Sequence, residues 1–356
     1  MKVVIATPLF PPEPGGPATY ASILMELFVR EGIDATLVKF SDVRPLPKAF
    51  RHLAYLWKVF KEAKKADAIL VLDPVSTGFP AVLASKLSGK PCVVKVVGDY
   101  AWEQGTQRYG ITAPLDEFVQ TKKVAIQVRF FRCIQTLVAK QASAVIVPSE
   151  YLKGIVMSWG IFHGKISVIH NAMRFEEPGT LPHEVATLPY PHIVSIGRLV
   201  PWKNMKGVID TAASLSQGSL IIVGDGPEKA SLVAHAAKVF PRTTFTGALP
   251  HKETLAILAD AQAFVLNSSY EGFSHLLVEA ASLGIPIVAT DVGGNREIVR
   301  TEAEGILVPS NDSGALQSAL EEALTRKRRT RPEDVVTRFS SKTMARRTAE
   351  LLKSLI

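Results

Sequence analysis

An α/β chain of two doubly wound, largely parallel sheets is what this sequence predicts, on three observations. Short apolar runs of strand length alternate with longer helix-like stretches, the pattern of buried parallel strands and their crossovers. A proline-rich segment interrupts this alternation near the middle, after which it restarts. The 356 residues are 47% hydrophobic and 21% charged, which is enough apolar material for more than one core in a folded chain.

The elements follow in order. Residues 3–6 read as a first strand and residues 18–31 as a first helix. Residues 35–39, 68–72 and 92–96 read as further strands, and 144–147 closes the first set. One long helix is expected across residues 115–140. Residues 175–191 hold four prolines and a glycine, and predict a linker between a domain at 1–180 and another at 190–340. Beyond it, 193–196, 220–223, 243–245, 264–266 and 287–289 read as strands, each followed by a helical run. One such run is 250–260, where Pro250 suits the first turn. Residues 341–356 read as a last helix. Two such domains facing each other make a cleft, and open α/β sheets bind ligands at the carboxyl ends of their strands.

Composition narrows the function classes. Net charge is +8, and residues 1–180 carry 22 Lys and Arg against 15 Asp and Glu. An anionic partner is expected for that half: phosphate, nucleic acid or a membrane surface. Cys92 and Cys133 stand among apolar neighbours and read as buried, reduced thiols. No CxxC, HExxH or DxD occurs, so no dedicated metal site is expected. The N-terminal apolar stretch is too short for a signal peptide, and no 18-residue apolar run exists. The expected location is the cytoplasm, with peripheral anchoring the one alternative.

The chemistry concentrates in SSYEGFSHLLVEAASLGIP, residues 268–286. Glu271 falls on the loop after a strand, Ser274 reads as an N-cap, and the helix beyond it stops at Gly284. The first amides of that helix, at Ser274, His275 and Leu276, offer N–H groups and a positive dipole end to a phosphate. Glu279 lies one turn beyond His275, among apolar neighbours. A plain reading makes Glu279 an exposed helix residue and Glu271 a solvated loop charge. The apolar neighbours argue for burial instead, and a buried carboxylate needs a partner or a role. Two carboxylates flanking a diphosphate would suit a nucleotide-sugar, with ribose at one end and hexose at the other.

Glu271-Gly-Phe-Ser-His-Leu-Leu-Val-Glu279 resembles the E-x7-E signature of retaining glycosyltransferases of family 4, which have the GT-B fold. Five further segments resemble that family in register. They are Pro14-Gly-Gly-Pro17, Val168-Ile-His-Asn171, Gly197-Arg-Leu-Val-Pro-Trp-Lys203, Gly224-Asp-Gly-Pro-Glu228 and Ala289-Thr-Asp-Val-Gly-Gly-Asn-Arg-Glu297. Ala172 stands where the second segment usually has glycine. The resemblance spans nearly the whole chain. It implies two Rossmann-like domains across a cleft, the second binding a nucleoside-diphosphate sugar and the first an acceptor. The last helix, 341–356, would cross back onto the first domain.

Roles follow from the resemblance, residue by residue. Arg198 and Lys203 would neutralise the departing diphosphate. Glu271 would orient the sugar hydroxyls, and Glu279 would hold the ribose. Gly15 and Gly16 would let backbone approach phosphate. Gly224, Gly226 and Thr246 would lie near the nucleotide; the glycines also read simply as a tight turn. The resemblance implies a hexosyl transfer with retention and no required metal or other cofactor, through an oxocarbenium-like transition state. Front-face attack, with the leaving phosphate taking the proton, is the preferred route. The acceptor would be a glycan, a lipid-linked sugar or a small molecule. One departure stands out. Many relatives place a histidine after a first-domain strand, whereas here no histidine occurs between His52 and His163, and Asp99 takes that place. Asp99 reads either as a catalytic carboxylate or as a cap on backbone amides. A nucleotide-sugar epimerase of the same fold and a non-catalytic glycan-binding protein remain alternatives. A nicotinamide dehydrogenase would want G-x-G-x-x-G after the first strand, which the chain lacks.

Lys48 to Lys65 form a basic, aromatic helix in which Phe50, Leu53, Leu56, Trp57 and Phe60 recur at helical spacing. It reads either as a helix packed on the sheet or as one lying on an anionic membrane, with Lys122, Lys123, Arg129 and Arg132 extending the patch. The cluster from Arg326 to Arg331 reads as a solvated turn, and no motif supports nucleic-acid binding.

Overall fold

The structure, a computed structural model, describes residues 1–13, 15–327 and 333–356. Pro14 of the glycine loop, the side chain of Lys48 and residues 328–331 of the second basic cluster lie outside the described residues. The chain divides into two compact units: Met1–Ala172 with Ser340–Ile356, and Met173–Phe339.

Unit 1 runs β1 (Lys2–Thr7), α1 (Gly16–Leu27), β2 (Asp34–Lys39), α2 (Lys48–Ala63), β3 (Ala68–Val71), α3 (Gly78–Ser88), β4 (Cys92–Lys95) and α4 (Tyr100–Arg108). It continues with α5 (Leu115–Phe118), α6 (Ile126–Gln141), β5 (Ala144–Val147), α7 (Glu150–Ser158) and β6 (Ile166–Val168). Unit 2 runs α8 (His183–Ala186), β7 (His192–Ile196), α9 (Met205–Ala212), β8 (Ser219–Val223), α10 (Lys229–Val239), β9 (Thr243–Gly247), α11 (His251–Asp260) and β10 (Ala263–Leu266). It ends with α12 (His275–Ser282), β11 (Ile287–Thr290), α13 (Asn295–Ile298), β12 (Ile306–Val308), α14 (Ser313–Thr325) and α15 (Glu333–Arg338). The last helix, α16 (Ser341–Lys353), returns to unit 1.

Each unit is built on a six-stranded parallel sheet, ordered β2-β1-β3-β4-β5-β6 and β12-β11-β10-β7-β8-β9. AILV, CVVK, AVIV, AFVL and IVAT are wholly buried strands, because helices cover both faces of a parallel sheet. The strand order reverses between β1 and β3 in unit 1, and between β7 and β10 in unit 2. At such a switch point the loops leaving the two central strands diverge and open a crevice at their carboxyl ends.

Several sequence expectations need correction. A sixth strand exists in each sheet, β6 and β12, each only three residues long. The helix expected over residues 115–140 is two helices, α5 and α6, separated by residues 119–125. The unit break falls at Ala172/Met173 rather than in the proline-rich segment. That segment belongs to unit 2, where Gly179 N donates to Lys252 O at 2.9 Å. Cys92 is buried as expected, but Cys133 is exposed on α6. In unit 1, α16 buries Met344, Ala345, Ala349 and Leu352 in the core shared with α1. The Tyr20 hydroxyl and Thr348 Oγ1 share a buried hydrogen bond of 3.1 Å.

Candidate active site

In unit 2 the loops after β7 and β10 are stitched together at the switch point. Ser269 N donates to Trp202 O at 2.7 Å, and Asn267 Nδ2 to Asn204 O at 3.4 Å. The β7 loop turns through one 3₁₀ turn, Pro201–Lys203, and Asn204 in the left-handed region (φ 45°) then caps α9. This geometry aims Lys203 at the β10 loop, where its Nζ donates to Glu271 Oε1. Ser268 Oγ donates to the same oxygen at 2.7 Å. Both charged side chains are largely buried, with side-chain exposures of 15% and 11%. The sequence expectation placed these two residues in one site; the structure joins them as an ion pair. Gly293 backs the arrangement, since a Cβ there would stand 1.8 Å from Glu271 O.

Ser274 caps α12, its Oγ accepting from Leu277 N. The first-turn amides of a helix have no carbonyl of their own helix to bond, and they carry its positive end. The His275 ring lies with Nδ1 2.9 Å from Met173 Sδ, and Leu276 is half-buried beside it. Further along, Glu279 is only 7% exposed. Burial, with the Glu176 charge adding to it, pushes its carboxyl up to about 7. Its ion-pair neighbour is His251 at 3.6 Å, contributed by the start of α11. His251 and Ser268 were not singled out from the sequence. His251 opens the helix after the Thr246-Gly247 turn, and that position was the available signal.

Arg198 is exposed on the β7 loop. Gly224 and Gly226 lie against that loop: a Cβ at 224 would stand 2.0 Å from Gly197 O, and one at 226 would stand 2.4 Å from Leu199 O. Leu199 N donates to Asp225 O at 2.9 Å. Both glycines are therefore required by backbone packing that fixes the segment carrying Arg198. Thr246 Oγ1 bonds the Gly247 carbonyl at 3.0 Å.

In unit 1, Gly15 (φ 144°) precedes α1 and a Cβ there would stand 2.9 Å from Leu9 Cδ1, whereas a Cβ on Gly16 would meet nothing within 4 Å. Asp99 is buried and caps α4. Its Oδ1 accepts from Trp102 N at 2.9 Å, and its Oδ2 from Trp159 Nε1 at 3.1 Å. Both oxygens are thus engaged by the fold, which favours the capping reading over the catalytic one. Glu103, one turn later, is also a perturbed acid. Burial first, then the Asp99 and Asp73 charges, push it up to about 7. We expect Asp99→Asn to lower the melting temperature, at a cost of about 1 kcal/mol, because an amide has one acceptor oxygen and either Trp102 N or Trp159 Nε1 loses its partner. Nucleotide-induced stabilisation should persist, and a calorimetric scan with and without nucleotide checks both. An unchanged melting temperature with strongly reduced turnover would restore the catalytic role.

Comparison with known proteins adds the following. Residues 2–172 match the Glycosyl transferase 4-like domain family, and residues 184–337 match the Glycosyl transferases group 1 family. The chain is 27% identical to the UDP-Gal:alpha-D-GlcNAc-diphosphoundecaprenol alpha-1,3-galactosyltransferase of Escherichia coli, over 77% of this chain and 70% of that protein. It is 34% identical to a GDP-mannose-dependent alpha-mannosyltransferase of Mycobacterium tuberculosis (strain CDC 1551 / Oshkosh), over 33% of this chain and only 30% of that protein. Among solved structures, Anabaena Alr3699/HepE in complex with UDP matches with a TM-score of 0.77 at 20% identity, covering 100% of both chains. The UDP-GlcNAc 2-epimerase of Methanocaldococcus jannaschii matches with a TM-score of 0.59 at 15% identity, covering 99% of this chain and 100% of that one. At these identities the structural likeness concerns the fold.

Proposed function

The chain belongs to the group 1 glycosyl transferases, with two Rossmann-like units of the GT-B fold, and from that premise we propose that it transfers a hexose from a nucleoside-diphosphate sugar to an acceptor hydroxyl with retention. The observation that carries the reading is the set assembled at the unit 2 switch point: Lys203 paired to Glu271, the capped N-terminus of α12, and the buried carboxylate of Glu279.

Each group has a task under this reading. The α12 amides and Arg198 receive the diphosphate, because fixed N–H dipoles and a guanidinium stabilise phosphate oxygens without reorganising. Lys203, held by Glu271, is positioned to take up charge as the glycosidic C–O bond breaks. Glu279 accepts hydrogen bonds from the ribose hydroxyls. Glu271 keeps one oxygen for Lys203 and Ser268, which leaves the other for a sugar hydroxyl. These cations would serve the leaving group without a resident metal. The acceptor is proposed to be a glycan or a lipid-linked sugar, as the name of the Escherichia coli relative indicates for that protein. The basic helix α2 would then bring unit 1 to an anionic membrane.

Thermal stabilisation by UDP, GDP, ADP and their hexose conjugates, with EDTA present, tests the donor half of this reading. One nucleotide series should stabilise the chain by about 2.7 kcal/mol at 100 times its dissociation constant. UDP goes first, because the Anabaena structure holds it. Stabilisation by none of them, or only after metal is restored, would overturn the donor assignment. Conversion of the nucleotide-sugar in the absence of any acceptor would instead identify an epimerase.

A further inference from the structure

Between the first turns of α9 and α14, at the carboxyl edge of the unit 2 sheet, lies a cavity of about 200 Å³. The helix α9 follows β7, α14 follows β12, and the two pack together. Asn267, the residue after β10, lines the cavity with Asn204 and Gly207 of the α9 start. Asn311, Asp312 and Ser313 of the α14 start complete its polar wall, and Leu316, one turn further on, is its apolar part. No residue given a role toward the donor lines it. Asn267 is only 6% exposed. Its Nδ2 makes one long bond, 3.4 Å to Asn204 O, and its Oδ1 has no hydrogen-bond partner among the described residues. A buried amide oxygen is normally satisfied. This one is not sealed inside the protein, so the cavity is where its partner comes from.

The neighbouring groups select the occupant. Asn204 Oδ1 accepts from Gly207 N at 3.3 Å, which leaves its Nδ2 unpaired among the described residues. Asp312 Oδ1 accepts from Ala315 N at 2.9 Å, which leaves its Oδ2. The side chains of Asn311 and Ser313 have no hydrogen bond among the described residues. Gly207 lets the amides meet, since a Cβ there would stand 2.6 Å from Asn267 Nδ2 and 3.0 Å from Asn204 Nδ2. The cavity thus offers donors at Asn204 and Asn311, acceptors at Asn267 and Asp312, and a hydroxyl that does both. Sugar hydroxyls donate and accept in turn, and match such a mixture. An anion is disfavoured: no Lys, Arg or His lines the cavity, Asp312 would repel it, and both helix ends are already capped by side chains. A calcium ion takes roughly six to eight oxygens, several of them carboxylate, and only one carboxylate is here. Pockets for drug-sized ligands begin at about 300 Å³, so this smaller one admits a single ring.

We propose that this cavity is a second sugar site, which binds one neutral hexose ring, free or at the end of a glycan, through Asn204, Asn267 and Asn311. Asn204 directly follows Lys203, and Asn267 directly precedes Ser268, which bonds Glu271. The occupant therefore touches both loops that hold the Lys203–Glu271 pair without entering the donor site.

Saturation-transfer NMR on the full chain tests it, with glucose, galactose, mannose and N-acetylglucosamine as probes and UDP added to fill the donor site. At least one sugar should receive saturation, and UDP should not remove the signal. Asn267→Leu, and separately Asn311→Gly/Ser313→Ala, should each weaken that sugar by about tenfold, the worth of one lost hydrogen bond. Glycine keeps the left-handed backbone of residue 311, so the double variant should melt with wild type, which shows that it is folded. The methyl glycoside of the bound sugar separates the two sources: equal binding assigns the cavity to a glycan end, and loss of binding assigns it to free hexose. No transfer to any of the four sugars, or equal transfer in both variants, would overturn the proposal. Loss of the signal on adding UDP would also overturn it, because the sugar would then lie in the donor site. So would calcium chloride or inorganic phosphate that raises the melting temperature of wild type but not of Asn311→Gly/Ser313→Ala, since the cavity would then hold an ion. A chain that UDP fails to stabilise counts against the donor reading alone, because the variants report on this cavity without it.

Discussion

We expect Glu279→Ala to abolish the rise in melting temperature that the preferred nucleotide gives the wild-type chain. The side chain is a carboxylate inside an apolar helix, with an imidazole at 3.6 Å as its ion-pair neighbour. Its folded pKa of about 7 lies above the ordinary 4.5. The sign follows from proton counting: between these values the folded chain holds a proton that the unfolded chain releases. The contribution to stability is therefore fully present below pH 4.5, declines from 4.5 to 7, and is lower by on the order of 3 kcal/mol above that. A buried group that destabilises the resting fold at neutral pH is explained if ligand hydroxyls donate to it. Glu279→Gln separates the two roles. Without nucleotide it should melt above wild type at pH 8, because no charge is buried. With nucleotide it should gain less than wild type, because the amide has one acceptor oxygen for hydroxyl donors where the carboxylate has two. In wild type, nucleotide affinity should fall as the pH drops through about 7, by up to tenfold per unit, and the slope should vanish in the glutamine variant. Equal nucleotide stabilisation of wild type and both variants would remove Glu279 from the site.

What the sequence disclosed follows the range of the interactions. Strand and helix alternation is local, and ten of the twelve strands among the described residues were legible from runs such as AILV and AFVL. Strands β6 and β12, at three residues, are too short to stand out as runs. The break between α5 and α6 carries neither proline nor glycine in residues 119–125, so no local stop signal was available. For α2 the apolar residues lie on two faces, and periodicity alone could not say which one meets the sheet. The site shows the same division. The E-x7-E spacing fixed Glu271 before a helix and Glu279 within it, which are local statements. That Trp159 would engage Asp99 across 60 residues, or that His251 would face Glu279, depends on how loops from different strands converge.

Lys95→Met is expected to stabilise the chain more than any other single change considered. Lys95 ends β4 and is fully enclosed, with Nζ 4.0 Å from the centroid of the Tyr20 ring and no hydrogen-bond partner among the described residues. Burial alone lowers its pKa from the ordinary 10.5 to about 7. Here the sign is opposite to that of Glu279. Between pH 7 and 10.5 the unfolded chain holds a proton that the folded chain lacks, so stability rises with pH across that window by about 1.4 kcal/mol per unit. At pH 7 and below the full penalty applies, on the order of 4–5 kcal/mol before the attraction of the ammonium for the ring offsets part of it. Methionine has a similar length, no charge, and a sulfur that packs well on an aromatic ring. The variant should therefore melt higher at pH 7, by roughly 10 °C for about 3–4 kcal/mol in a unit of this size, and its stability should no longer climb towards pH 10. The two measurements protect each other. A higher melting temperature with the slope intact would trace the gain to packing rather than to the buried amine. A variant no more stable than wild type, with the same pH profile, would show that Lys95 keeps its charge hydrated in solution. The Tyr20–Thr348 bond that ties α1 to α16 would then form beside a wetter core than the one described.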